Sequence, residues 1–119
     1  MIAIIGAAGI GKTALAALDR AEALMPPGAS QLRVNILTTR STLASMRGDF
    51  TSGMAYIRQG IAVCEQIYDH IRAAKLRNNL ALDRIMAGDP AGALTELEQV
   101  LAFAERIGDR QLQIMALYN

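Results

Sequence analysis

One stretch of this 119-residue chain has the residue types and spacing for phosphate chemistry. Gly6-Ala7-Ala8-Gly9-Ile10-Gly11-Lys12-Thr13 matches G-x-x-x-x-G-K-[ST] at every fixed position. In a working phosphate loop, backbone N–H groups cradle the phosphates at a helix N-terminus. The lysine, here Lys12, reaches the β- and γ-phosphates, and the hydroxyl, here Thr13, ligates Mg²⁺. Gly6 and Gly11 serve the turn. Ile2-Ala3-Ile4-Ile5 reads as a buried strand before the loop, and a helical pattern begins at Thr13, so the local context is strand, loop, helix.

The rest of that machine is missing. Nucleotide hydrolysis needs several more parallel strands, one of them ending in a metal-binding Asp. The runs that could supply it, Leu15 to Asp19 and Leu80 to Asp83, both lie in helical segments. A lone strand with unpaired edges does not persist. Two readings follow. Residues 1–12 extend or fray from the first helix and bind nothing, which is the favoured reading, or the segment retains ATP and Mg²⁺ binding as a piece of an NTPase. An enzyme is not expected in either case.

No other residue set suggests catalysis. The single histidine, His70, falls at an inter-helix turn with no second ligand at a helical step, so no metal site is expected. The single cysteine, Cys64, rules out an internal disulfide and falls on an apolar face, where core packing is its role. Hydrophobic residues make up 52% of the chain and aromatics 4%, with Ala, Leu, Ile and Met prominent, a mixture suited to closely packed helices. Met25, Met46, Met54, Met86 and Met115 read as core filler. Twelve basic against eleven acidic residues leave a charge of +1 without a like-charged block, so nucleic acid is not an expected partner. The apolar run from Met1 to Gly11 is too short to span a bilayer, which takes about 20 residues. It lacks the basic start of a secretory signal. A soluble, cytoplasmic protein without a membrane partner is the expectation.

The elements that would position any site are set by a repeat. Shifted by 40 positions, residues 48–69 align with 88–109 without a gap and with seven identities: Gly48/Gly88, Asp49/Asp89, Gln59/Gln99, Ala62/Ala102, Glu65/Glu105, Ile67/Ile107 and Asp69/Asp109. Met54, Ile57, Ile61 and Cys64 recur at steps of one helix face, and Leu94, Leu97, Leu101 and Ala104 repeat them. Asp49 and Asp89 are good N-caps, Pro90 suits a first helical turn, and Gly48 and Gly88 suit left-handed helix ends. The spacing predicts helices over about 13–25, 31–47, 50–67, 71–87, 90–107 and 110 to the end. The first of these either packs on a sheet or, as favoured, serves as the second helix of a degenerate repeat against residues 31–47. Antiparallel helix pairs of this kind stack into an all-α solenoid.

The stretches RGDFTSGMAYIRQGIAVCEQI and AGDPAGALTELEQVLAFAERIGD, with the lead-in NNLALDRIMAGD, resemble tetratricopeptide (TPR) units. Gly53 and Ala93 stand at the family's small position, where the two helices of a unit approach closely. The resemblance covers residues 14–119, leaving 1–13 as a P-loop-like segment. It departs from the family in its period of 40 rather than 34 and in lacking the large aromatic of the first helix. The longer period is similar to TPR variants of large ATP-binding LuxR-type bacterial regulators, and HEAT-like pairs are the alternative fold.

The resemblance implies a scaffold that binds a protein or peptide partner on the concave face of each unit's first helix. Projected onto this chain, that face carries Asn35, Thr38, Thr42, Lys75, Asn78, Asn79 and Leu82. It also implies a fragment or relative of a bacterial signalling or transcriptional regulator. At the C-terminus, Ile114, Met115 and Leu117 call for a further helix, so self-association through this uncapped end is a further expectation.

Overall fold

The computed structural model describes residues 2–118, with side chains from Lys12 to Tyr118; Met1 and Asn119 lie outside the described residues. Six helices follow one another: α1 (Ile2–Leu24), α2 (Gln31–Met46), α3 (Phe50–Gln66), α4 (His70–Met86), α5 (Pro90–Ile107) and α6 (Arg110–Tyr118). No strand occurs among the described residues. The strand that a working phosphate loop would need at Ile2–Ile5 is therefore not formed, and the favoured reading, an extension of the first helix, is what residues 2–12 show. Ile2–Ile5 are the first turn of α1, which also runs unbroken across the boundary expected at residue 13. An all-apolar segment that finds no sheet partner satisfies its backbone N–H and C=O groups internally, and only a helix does that.

The junctions explain the rest of the map. Asp49, Asp69, Asp89 and Asp109 recur every 20 positions. Each side chain accepts from the N–H three residues on, in Ser52, Arg72, Gly92 and Leu112, at 2.9–3.1 Å. Each backbone N–H also donates back to the carbonyl five residues earlier, in Ala44, Cys64, Arg84 and Ala104, at 2.7–2.9 Å. One residue thus ends a helix and starts the next. The position before it is left-handed: φ is 79° at Gly48, 88° at Gly88 and 72° at Gly108. At the fourth junction Tyr68 takes φ 59°. A Cβ disfavours that region, whereas glycine enters it freely. Tyr68→Gly is therefore expected to stabilise the fold by about 1 kcal/mol, raising Tm by about 4 °C in a thermal melt. An unchanged or lower Tm would mean that the exposed tyrosine ring contributes packing that offsets the strain.

Consecutive helices pack on each other, with a further contact between α4 and α6. The main cluster joins α2, α3 and α4 through Val34, Leu37, Ile57, Ile61, Cys64, Leu76 and Leu80. Cys64 is fully buried in it, as expected, and burial pushes its thiol pKa up. A second cluster joins α4, α5 and α6 around Val100 and Leu112. Between α4 and α5, Arg77 and Arg84 converge on Glu96, at 3.6 and 3.5 Å. The α1 helix sits on α2, where Arg40 pairs with Asp19 at 2.7 Å and Glu22 at 2.9 Å. The radius of gyration is 15.3 Å, against about 13.5 Å for a compact chain of this length.

Some expected core positions are not covered. Leu94, Met46 and Met86 are exposed, the two methionines because each ends its helix at a junction. Met54 and Met115 are half-buried against the clusters. Ile114 and Leu117 are exposed on α6.

Candidate functional site

Four hydroxyl residues of α2, Thr38, Ser41, Thr42 and Ser45, fall on one helix face because their steps are three, one and three. Across from them α4 presents Asn79, Leu82 and Asp83, and Ile57 of α3 lies between. With Met46 these residues line a groove of about 380 Å³.

The close approach that forms it depends on Gly53. A Cβ there would lie 2.8 Å from Ser45 Oγ, 3.2 Å from Asp83 Oδ2 and 3.4 Å from the Ser41 carbonyl oxygen. The expectation that Gly53 lets helices come together is met, and the helices so joined are α2, α3 and α4. Ser41 Oγ donates to the Gly53 carbonyl at 2.9 Å, and Ser45 Oγ donates to the Asp83 carboxylate at 3.1 Å. Thr38 and Thr42 donate to the carbonyls of Val34 and Thr38, at 2.8 and 3.0 Å. All four hydroxyls thus spend their protons on the protein and keep lone pairs as acceptors.

Asp83 is buried, and this desolvation raises its pKa above the ordinary carboxylate value, with the Ser45 hydrogen bond opposing. The sign for stability follows. A raised native pKa means that ionised Asp83 costs stability above that pKa, and the cost vanishes once both folded and unfolded forms are protonated at lower pH. The capping residues Asp49 and Asp89 act oppositely. Hydrogen bonds at the helix starts lower their pKa values, so their stabilisation is lost as pH falls. Asp83→Asn is expected to be more stable than the parent at neutral pH, with the difference shrinking on acidification. Denaturation midpoints of the two proteins across pH check this, and a constant difference would refute it.

Of the residues projected onto a binding face, Thr38, Thr42, Asn79 and Leu82 line the groove. Asn78 does not: it is 3% exposed and faces the interior, because α4 is covered by neighbours on both flanks. Asn35 lines a different, apolar groove of about 410 Å³ between α1 and α2, and accepts from Arg72. Lys75 is exposed and outside the groove. Sequence reasoning missed Ser41, Ser45 and Asp83 as groove residues. Asp83 stood out only as a potential strand-end metal ligand, and its place is the interior of α4.

Gly6, Gly11, Lys12 and Thr13 all lie on the helical backbone of α1, with Lys12 and Thr13 exposed. In that conformation interior N–H groups are committed to the helix ladder and do not converge on a phosphate. Titration of fluorescent ATP with Mg²⁺ is expected to show no saturable binding at millimolar nucleotide, for the parent and Lys12→Ala alike. Micromolar binding lost in the variant would mean that this end of α1 rearranges into a loop. His70, expected at a turn, is the first residue of α4, its ring edge-on to Tyr68 at 6.4 Å. No cluster of potential metal ligands occurs among the described residues, and no described helix is long and apolar enough to cross a membrane.

No family model, curated protein or solved structure matches this chain.

Proposed function

We propose that the chain is a TPR-like scaffold, a solenoid of antiparallel helix pairs that holds a segment of a protein partner in the α2–α4 groove. The observation that carries the reading is the groove itself, flanked by alternate helices and lined by Thr38, Thr42, Asn79 and Leu82. The 20-residue recurrence of one junction, the short turns and the elongated shape support repeat architecture. Pairs then run α2 with α3 and α4 with α5, and α2 and α4 are the first helices whose faces such arrays use. A role within a bacterial signalling or transcriptional regulator goes with the TPR resemblance and rests on fold-level analogy.

Selection of random peptides on the folded chain, with counter-selection on a Thr42→Trp variant, tests the reading. Thr42 is exposed, so tryptophan there fills the groove without entering the core. Enriched peptides that lose binding to the variant support the groove. Peptides that bind both proteins equally, or no enrichment, overturn it.

A further inference from the structure

The groove is one-sided in its chemistry. Its lining includes no Lys, Arg or His, and its single charged residue is Asp83. Three arginines of the flanking helices α2 and α4 are engaged elsewhere: Arg84 with Asp89 and Glu96, Arg40 with Asp19 and Glu22, and Arg72 with Asn35. Asp83 receives a hydrogen bond from Ser45. A buried carboxylate with so little compensation favours a ligand that brings positive charge.

We propose that the α2–α4 groove receives a lysine side chain carried on an extended segment of a partner protein, its ammonium paired with Asp83. The proposal rests on the partner-groove reading above and adds the chemistry of what is recognised. An ammonium brings three N–H donors and no acceptor. The groove offers the complement: the Asp83 carboxylate and the lone pairs of Thr38, Thr42 and Ser45, whose hydroxyl protons are already donated. Met46, Leu82 and Ile57 supply apolar wall for the four-carbon stem. The volume of about 380 Å³ lies near the lower end of the roughly 300–1,000 Å³ of binding pockets. That suits one or two residues rather than a folded element.

The test uses three unstructured ten-residue peptides of Gly, Ser and Ala, identical except for a central lysine, norleucine or glutamate. Each is titrated into the isotope-labelled full chain and followed by amide NMR shifts. The lysine peptide is expected to move the amides of residues 38–45 and 79–83. It should bind about tenfold more tightly than the norleucine peptide, the worth of one charge-assisted contact. Asp83→Asn should erase that preference and leave norleucine binding unchanged. Leu82→Lys, at an exposed groove position, is a second variant independent of Asp83: its own ammonium should weaken lysine-peptide binding selectively. Equal affinity for lysine and norleucine peptides, with shifts in the groove, would overturn the charge recognition and leave the groove reading standing. If no peptide moves the groove amides, both fall.

Discussion

Replacing Gly53 with valine lowers the melting temperature by about 10 °C, the loss of about 3 kcal/mol. The space a Cβ needs is already taken by Ser45 Oγ at 2.8 Å and Asp83 Oδ2 at 3.2 Å, and the Ser41 carbonyl oxygen behind them belongs to helix backbone. Valine adds two further methyl groups, so α2 must move away from α3. Two interactions go with that movement: the Ser41 hydrogen bond to the Gly53 carbonyl and the Ser45 hydrogen bond to Asp83. The second leaves a buried carboxylate without its donor, which costs more than the bond itself contributed. The gain from removing a helical glycine is smaller, about 0.5 kcal/mol. A thermal melt by circular dichroism reads the result. A loss below about 1 kcal/mol would mean that α2 and α3 separate easily and that the groove is not a rigid feature. The equivalent position 40 residues on is Ala93, buried beside Ala81 and Leu97, where a Cβ is already accommodated.

Leu76→Ala is expected to destabilise the chain by about 3 kcal/mol, while Leu94→Ala changes stability by less than about 0.5 kcal/mol. Leu76 is 3% exposed and touches the cluster shared by α2, α3 and α4. Its Cδ1 lies 3.2 Å from where a Cβ on Gly60 would be, so α3 and α4 close tightly around it. Truncation removes apolar contacts and leaves a cavity that three helices would have to shift together to fill. Leu94 is 58% exposed and loses little. Urea unfolding of both variants, with slopes compared to the parent, separates the two cases. A cost at Leu94 matching that at Leu76 would mean that this residue is covered in solution.

Leu94 also shows where reading the chain reached its limit. Its spacing relative to Leu97, Leu101 and Ala104 matches that of Met54 relative to Ile57, Ile61 and Cys64. Periodicity assigns it to the core face, yet periodicity reports only which residues share a face. Whether a neighbour reaches the end of that face depends on the packing. Asn78 errs in the opposite direction, a polar residue projected outward that α4 turns inward.

The sequence by itself determined helices α2 to α6 and their ends, because those are local. Each Asp cap reaches three residues forward and five back, and Gly48, Gly88 and Gly108 occupy left-handed positions set by their own lack of a Cβ. The junction at Asp69 was legible too, although Tyr68 stands where the other three have glycine. Tertiary structure decided the fate of Gly6–Thr13 and the groove. The first needs a sheet to hold a loop open, and without strands the segment coils into α1. The second rests on Ser45 meeting Asp83 across 38 positions. The 40-residue repeat carries no trace of that contact, since Ile85 stands 40 positions after Ser45 and Ala81 after Ser41. A side-chain contact between helices two apart depends on how three helices stack, which no local pattern encodes.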